Sequence, residues 1–265
     1  MRSVPEITLG YPVLIKFNSG ISGSGFKLLY KGFLYLVTAK HVLVNGSNQL
    51  HGDTGSITAY SLDEDDDEPN IDGIDFMQLS KDGNILLHQK KDIAVVRIAK
   101  LKSSVENSTL STVSSLNGVS VITKSKAPIV WASEQHLMSY DQVLVGNEVI
   151  IFGYPSSIGI PNSPQFDYEK PLLRKGIVAA KYKKASTIIL DCPVYYGNSG
   201  GPVMQLGLEK DGRIYYKLIG VVSQFVPYVE HWTNSKSKIT NTTMLNSGYS
   251  VAVSIDSALG MINYK

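Results

Sequence analysis

Short runs of Val, Ile, Leu and Tyr recur along the whole chain, each bounded by Gly, Asn, Ser or Asp. Runs of this length and composition are typical of β-strands, whereas the periodicity of an amphipathic helix is scarce. Examples of these strand candidates are residues 9–17, 33–38, 93–98, 119–123, 143–152, 187–190, 215–222 and 249–253. One helix is expected at the C-terminus, where Ser254 can cap a run that reaches Ile262. Many strands with almost no intervening helices predict an all-β sandwich or barrels rather than a parallel α/β sheet.

A stretch rich in Ser and Thr predicts a boundary between two β domains. Residues 103–117 read SSVENSTLSTVSSLN, carry little charge and lie between two strand-rich regions, as a linker does. The parts before and after it have the size of separate β domains. We therefore expect an N-terminal barrel over residues 1–102, a linker over 103–118, and a C-terminal barrel with its helix over 119–265.

Cysteine content and charge exclude several classes of protein. The chain of 265 residues holds one cysteine, Cys192, so an intrachain disulfide and a Cys-rich zinc site are both excluded, and a reducing compartment fits best. The net charge of +2 is not the footprint of a dedicated nucleic-acid binder. There is no apolar run of membrane-spanning length, and the first residues do not read as a signal peptide. We expect a cytoplasmic protein without nucleic-acid or membrane partners.

Two features raise the question of metal binding. The consecutive acids at residues 63–68 could bind a hard cation such as Ca²⁺, but they lack EF-hand spacing, and a solvated surface loop is the favoured interpretation. Four histidines have no paired spacing, so we expect no metal site: His51, His88, His136 and His231.

Three short segments carry residue types that could act together in acyl transfer. VTAKHV at residues 37–42 contains His41, KDIAVV at 91–96 contains Asp92, and GNSGGPV at 197–203 surrounds Ser199 with glycines. A serine hydroxyl needs an adjacent base, a histidine can be that base, and a carboxylate fixes the histidine's tautomer. Glycines allow a tight turn that aims N–H groups at a developing oxyanion. Each segment alone is common, so the prediction depends on all three occurring in this order.

In combination these segments resemble the trypsin/chymotrypsin-like serine peptidases, most closely the disulfide-free bacterial branch that includes the HtrA proteases. The similarity continues in SGSGF at residues 22–26, FGYP at 152–155, DCP at 191–193, IGVVS at 219–223 and GYSVAV at 248–253. The resemblance implies two antiparallel six-stranded β-barrels of the chymotrypsin type, with a short C-terminal helix and the active site between the barrels.

The resemblance also implies a role for each matching residue. Ser199 would be the nucleophile, His41 the general base and then acid, and Asp92 the residue that orients His41. The N–H groups of Gly197 and Ser199 would form the oxyanion hole. Ser223 would lie behind the Asp–His pair and begin the strand that pairs with substrate.

A specificity pocket follows from the same resemblance. Its residues would be Pro193, Val194, Tyr195, Ser223, Phe225 and Ser250. Pro193 stands where an acid would select Arg or Lys, and Phe225 would narrow the pocket mouth. Burying an unpaired cation there costs several kcal/mol. We therefore expect small or medium aliphatic or neutral P1 residues such as Ala, Val, Thr or Leu.

Two further expectations concern regulation. Asn198 stands where secreted relatives carry an aspartate that pairs with a newly freed N-terminus, so we expect no proteolytic activation. Residues 226–247 form a long polar connection that we expect to be a mobile loop bordering the substrate cleft.

The functional hypothesis is a serine endopeptidase that acts through an acyl-enzyme. It needs no cofactor and no metal; its partners are a protein or peptide substrate and, for regulation, a further protein. Two alternatives stay open: a catalytically silent protein-binding module on the same scaffold, and a serine esterase or amidase.

Overall fold

The computed structural model describes residues 4–61, 68–102, 113–124, 129–156, 165, 167, 169–209 and 211–264. Its strands are β1 (Pro12–Phe17), β2 (Ser22–Tyr30), β3 (Phe33–Thr38), β4 (Thr54–Ala59), β5 (Asn70–Asp75), β6 (Ile85–Leu87), β7 (Ala94–Leu101), β8 (Val113–Ser115), β9 (Val119–Thr123), β10 (Ala132–Ser133), β11 (Glu148–Gly153), β12 (Leu172–Tyr182), β13 (Thr187–Asp191), β14 (Pro202–Leu208), β15 (Ile214–Thr233) and β16 (Thr240–Ser254). Its α-helices are α1 (Lys40–Leu43), α2 (Phe76–Lys81) and α3 (Asp256–Asn263).

The first half of the chain forms one curled sheet. Its strand order is β6-β7-β3-β2-β1-β4-β5-β9, with β8 added to β7 and β10 added to β2. The curled sheet encloses fully buried apolar side chains from several strands, among them Leu36, Ile57 and Val96. Phe76 of α2 stacks on Phe17 within this core, with ring centroids 4.6 Å apart. Burial of the apolar side chains explains why these residues form a curled sheet rather than an open one.

The second half forms a closed antiparallel barrel in the order β11-β12-β13-β16-β15-β14. Its interior holds fully buried residues such as Val149, Ile188 and Ile219. Helix α3 follows the last strand, and the Ser254 hydroxyl accepts the N–H of Asp256 at 3.3 Å. The predicted C-terminal helix is therefore present, but Ile255 rather than Ser254 is its N-cap residue.

A third apolar cluster lies between the two halves. It joins Phe26 and Tyr35 of the first sheet to Phe152 and Leu218 of the barrel and to Ala258 of α3. The two halves therefore pack on a common core, and the loops on either side of that core are held at fixed positions relative to one another.

The all-β two-barrel fold is confirmed, but the halves divide at a different position from the expected one. β9 pairs with β5 and β10 pairs with β2, so the region after residue 119 still belongs to the first sheet, and the closed barrel begins with β11 at Glu148. The added strands make the first sheet ten-stranded rather than six-stranded. Residues 103–112 of the expected linker and 63–67 of the acidic run lie outside the described residues.

The connection at residues 226–247 also differs from the expected loop. β15 and β16 extend through it as a paired hairpin, with register from Pro227↔Asn246 to Thr233↔Thr240. Most residues of this exposed ribbon are polar, so that its composition resembles that of a loop. In the part of the chain that the structure describes, no helix has the length and apolar character needed to span a membrane.

Candidate active site

The pairing of two strands brings His41 and Asp92 together. β3 pairs with β7 so that Thr38 lies opposite Ala94. His41 follows the end of β3 in the single turn of α1, and Asp92 precedes the start of β7. The two residues therefore meet at the same edge of the first sheet although 51 residues separate them.

The Asp92 carboxylate holds His41 at two points and accepts a third hydrogen bond. Asp92 Oδ1 accepts the backbone N–H of His41 at 2.9 Å, and Oδ2 lies 2.7 Å from His41 Nδ1. Ser223 Oγ donates to the same Oδ2 at 2.7 Å. Because the carboxylate accepts hydrogen bonds, Nδ1 carries the ring proton of neutral His41 and leaves Nε2 free to act as a base.

The charge of Asp92 is stabilised by these contacts. Burial of the carboxyl opposes its ionisation, but the hydrogen bonds from His41 and Ser223 outweigh burial and lower the pKa of Asp92. The group is therefore a permanent anion at neutral pH, as a residue that stabilises an imidazolium must be.

The loop that carries Asp92 is fastened by His88. His88 Nδ1 accepts the backbone N–H groups of Lys90 and Lys91 at 3.1 and 3.0 Å. Lys40 Nζ donates to the carbonyl of His88 at 3.2 Å, and Lys91 Nζ donates to Ser257 of α3 at 2.9 Å. Burial lowers the pKa of His88, and the two lysines lower it further. A neutral His88 is the form that can accept both N–H groups, so this loop is built around an uncharged imidazole.

Ser199 lies in the turn between β13 and β14, opposite the His41–Asp92 pair. Its Oγ donates to the backbone carbonyl of Ser223 at 3.2 Å. Among the described residues, no hydrogen bond joins Ser199 to His41. Ser223 is thus the link between the two: its hydroxyl contacts Asp92 and its carbonyl contacts Ser199.

The orientations of two backbone N–H groups in this turn are set by hydrogen bonds to the carbonyls of the same peptide units. The carbonyl of Tyr196 accepts Ser156 N–H, and the carbonyl of Asn198 accepts Gly201 N–H, both at 3.0 Å. In a trans peptide the N–H points opposite to the carbonyl, so the N–H groups of Gly197 and Ser199 are directed away from these contacts. Within the described residues neither N–H has a hydrogen-bond partner. They are therefore available to bind an anionic oxygen.

The buried Ser24 of β2 clamps this turn from the first half of the molecule. Ser24 Oγ donates to the carbonyl of Gly197 at 2.6 Å and accepts the N–H of Tyr154 at 2.9 Å. Its backbone N–H donates to the carbonyl of Ser199 at 2.9 Å. Thr38 Oγ1 in turn donates to the carbonyl of Ser24 at 2.6 Å. Ser24 of the first sheet therefore sets the position of the turn that carries Ser199 on the barrel.

Two glycines of the turn are required by its geometry. Gly197 and Gly200 have φ of +91° and +88°, a region that side chains rarely adopt. A Cβ on Gly200 would collide with the carbonyl of Ser24 and the hydroxyl of Thr38. The GNSGG pattern thus matches both the left-handed turn and its close contact with Ser24.

The predicted pocket residues fall into two groups. Val194, Ser223 and Ser250 are buried, and the Ser250 hydroxyl donates to the Cys192 carbonyl at 2.8 Å. The structure differs from the prediction here, because that hydroxyl is not free to line a pocket. Pro193, Tyr195 and Phe225 are half-buried.

A cation and an exposed aromatic residue lie beside the half-buried residues that were predicted to line the pocket. The Arg174 guanidinium lies 4.5 Å above the ring of Tyr195. Tyr196, which is 71% exposed, meets the ring of Phe225 edge-on, with centroids 6.1 Å apart. These residues therefore combine aromatic surface with a neighbouring positive charge.

Sequence reasoning missed Ser24 and His88 as residues of the site. The SGSGF segment contains Ser24 and was noted for its resemblance to the family, but nothing in it indicated the hydrogen-bond partners of Ser24. His88 was considered only as a metal ligand. Asn198, predicted to lack an ionic partner, is buried, and its Oδ1 accepts the N–H of Tyr195 at 3.0 Å. Within the described residues no group of three or more His, Cys, Asp or Glu side chains could hold a metal ion.

Comparison with known proteins gives one family and several structural neighbours. The family model of the trypsin-like peptidase domain matches residues 23–208. No curated protein matches the chain. Among solved structures, the thermostable serine protease AL20 from an extremophilic microorganism is 13% identical with a TM-score of 0.52, and the match covers 97% of each chain. The HtrA-type protease AlgW with a tripeptide is 16% identical with a TM-score of 0.49, and the match covers 98% of this chain. The chain spans 58% to 63% of the length of two such HtrA-type chains.

Proposed function

The chain belongs to the trypsin-like peptidase domain family, and from this premise we propose that it is a serine endopeptidase that cleaves peptide bonds through an acyl-enzyme. Ser199 is the nucleophile, His41 the general base and acid, and Asp92 the residue that orients His41. The observation that supports this most is the continuous set of contacts from His41 through Asp92 and Ser223 to Ser199, next to two unpaired N–H groups.

Substrate binding prepares the nucleophile. The P1 N–H of a bound peptide donates to the Ser223 carbonyl and takes the place of Ser199 Oγ there. Ser199 Oγ then turns to His41 Nε2, which is the free acceptor of the ring. Resting contact with Ser223 therefore keeps the hydroxyl away from its base until a peptide backbone arrives.

The reaction then proceeds in two steps. Ser199 Oγ attacks the scissile carbonyl while its proton passes to His41 Nε2, and the oxyanion is bound by the N–H groups of Gly197 and Ser199. When the intermediate collapses, His41 gives the proton to the leaving amine. Water, deprotonated by His41, attacks the acyl-enzyme. As the acid leaves, His41 gives this proton to Ser199 Oγ, which restores the serine hydroxyl and the neutral imidazole. Asp92 stays ionised throughout and stabilises the imidazolium.

The P1 pocket of this proposal is formed around Pro193, Val194, Tyr195, Ser223 and Phe225, with Ser250 supporting the wall from inside the barrel. It accepts a small or medium aliphatic or neutral side chain. The described wall residues offer no carboxylate to a basic P1 residue, and Arg174 repels one. No cofactor takes part. A cytoplasmic location and a regulatory protein partner stay predictions from the sequence.

Labelling with a fluorophosphonate probe tests the nucleophile directly. We expect wild type to be labelled, Ser199→Ala not to be labelled, and the matched surface variant Ser47→Ala to behave as wild type. Absence of labelling in folded wild type would favour a silent binding module, in which Ser199 stays on the Ser223 carbonyl. Labelling together with turnover of esters but not of quenched peptides would favour an esterase.

A further inference from the structure

The longest strand of the barrel continues well beyond it. β15 and β16 leave the barrel as a two-stranded hairpin, which we call the projecting hairpin (residues 227–246). Its tip is closed by a turn in which the N–H of Asn234 donates to the carbonyl of Ile239 at 2.9 Å. Nearly all of its side chains are exposed. An isolated two-stranded ribbon is only marginally stable in water, so a further strand would stabilise it.

One edge of β15 is open along this hairpin. β14 covers that edge from Ile214 to Val221, and the N–H of Val222 still donates to the carbonyl of Gly201 at 2.9 Å. From Ser223 to Thr233 no described residue pairs with this edge. The first group on the open edge is the carbonyl of Ser223, which contacts Ser199 Oγ. The open edge therefore begins at the nucleophile.

The backbone groups on this edge follow from the alternation of antiparallel pairs. Asn234 and Ile239 are a hydrogen-bonded pair, so Trp232, Glu230 and Tyr228 also direct their backbone groups to β16. The N–H and carbonyl groups of Val229, His231 and Thr233 then point outward. Pro227 lies at an outward-facing position, so its missing N–H removes no hydrogen bond between β15 and β16. The outward groups form an open row of donors and acceptors.

The hairpin also presents large apolar side chains. Tyr228 and Trp232, which are 53% and 65% exposed, lie on one face together with Leu245, the cross-strand neighbour of Tyr228. Trp232 Nε1 donates to Glu230 on the same face at 3.4 Å. Aromatic and branched residues at alternate positions of a strand are the side chains that a neighbouring strand packs against.

We propose that the open edge of the projecting hairpin is an extended binding site for the substrate, which adds to β15 as an antiparallel strand on the amino-terminal side of the scissile bond. The proposal rests on the proposed function. A chain antiparallel to β15 on this edge runs from Thr233 toward Ser223 and so delivers its carboxyl end to Ser199. The register of β15 on β16 shifts between Val222 and Gln224 and between Phe225 and Pro227, and the edge bends there. From Ser223 to Thr233 the edge is at most about 33 Å long, enough for roughly ten residues of substrate.

The favoured occupant is an extended polypeptide with apolar or β-branched side chains at alternate positions. Main-chain hydrogen bonds supply the affinity of such strand addition, and side chains at alternate positions supply the selectivity. A second copy of this chain could also pair with an open edge, but it would gain nothing from the contact at Ser199. The continuity of the edge with the nucleophile therefore favours the substrate.

A series of fluorogenic peptides with one P4–P1 sequence and about four, seven or ten residues before the scissile bond tests the proposal. We expect kcat/KM to rise at least about tenfold from the shortest to the longest peptide, mainly through a lower KM. Extensions of Gly, Ser and Pro, which do not pair as strands, should give no gain. A flat length series in an enzyme that cleaves the short peptide would overturn the extended site.

Two sets of variants distinguish pairing along the open edge from a general effect on folding. Replacing residues 229–244 by Asn-Gly joins Tyr228 to Leu245 and should abolish the length gain while short-peptide turnover stays unchanged. His231→Pro removes one outward N–H and should reduce the gain, whereas the matched His231→Ala keeps the N–H and should retain it. Equal effects of His231→Pro and His231→Ala would contradict pairing along this edge.

Binding of the same peptides to the Ser199→Ala variant tests the extended site without turnover. By fluorescence anisotropy, the longest peptide should bind at least about tenfold more tightly than the shortest, and the hairpin-shortened form of this variant should not distinguish them. If wild type is neither labelled nor active, the proposed function fails while this measurement still reports on the edge. Concentration-dependent dimers that need the hairpin, with no length effect in binding, would show that a second copy takes the edge instead.

Discussion

Ser24→Ala should disorder the nucleophile turn without touching any of the three residues that we assign to the reaction. The Ser24 hydroxyl is fully buried and bridges two backbone groups of the second half, the carbonyl of Gly197 and the N–H of Tyr154. Alanine fits the same space but leaves both groups without their partner. Each unpaired buried group costs about 1–3 kcal/mol. Gly197 is half-buried, so water can reach its carbonyl, and we expect a total loss of about 2–4 kcal/mol in the free energy of unfolding.

The same substitution should lower activity more than a distant change of equal stability. The Gly197 carbonyl belongs to the peptide unit that follows the first oxyanion donor, so its release lets that donor turn away. A lost oxyanion donor costs roughly 10²–10³ in kcat, and we expect Ser24→Ala to lose a part of that, at least about tenfold, with little change in KM.

Urea unfolding followed by tryptophan fluorescence measures the first effect, and kcat on a short peptide measures the second. Ser22→Ala, two residues earlier on the same strand, is the matched control and should change neither. A loss of stability below about 0.5 kcal/mol in Ser24→Ala, or unchanged kcat, would refute the clamp.

Three further predictions follow from the site. Ser199→Ala should cost on the order of 10⁶ in kcat and Asp92→Asn roughly 10⁴ on peptide substrates, and a similar loss in both variants would contradict the separate roles. Because the folded protein favours neutral His88, the stability that it contributes is complete above the unfolded pKa of about 6.5 and is lost as the pH falls through the lower folded pKa. His88→Asn keeps an acceptor near the position of Nδ1, so the acid limb of its kcat/KM profile should be shallower than that of wild type. Superimposable profiles would show that protonation of His88 does not contribute to the loss of activity at low pH. Across a P1-varied series, Ala, Val, Thr or Leu should exceed Arg and Lys in kcat/KM, and the reverse order would show that Pro193 and Arg174 do not set the charge preference.

Three local patterns in their order along the chain, together with the family resemblance, predicted the residues that we assign to catalysis. His41, Asp92 and Ser199 each lie at the end of an apolar strand or in a glycine-rich turn, and strand ends are visible in a single sequence. The geometry that joins them comes from the register of β3 on β7 and from Ser223, which the family resemblance indicated. The pairing of Thr38 with Ala94 could not be derived from composition, since many registers bury the same apolar residues.

The contacts missed by sequence reasoning are those between residues far apart in the chain. Ser24 and Gly197 are 173 positions apart, and a serine in a glycine-rich strand gives no sign of its partner. β2 itself was not predicted because its glycines and serines resemble a turn. The projecting hairpin was expected to be a loop because its strands are exposed and polar on one face, so that no buried stripe marks them.

Ser223 has a consequence for the timing of activity during synthesis. His41 and Asp92 are translated long before Ser223, whose hydroxyl and carbonyl connect them to Ser199. β15, which contains Ser223, is held by β14 and β16, so its position is set only after nearly the whole barrel has emerged from the ribosome. Under the proposed function, a partly synthesised chain therefore carries Ser199 and His41 without the residue that links them, and its activity is expected to appear only after β15 has been placed in the barrel.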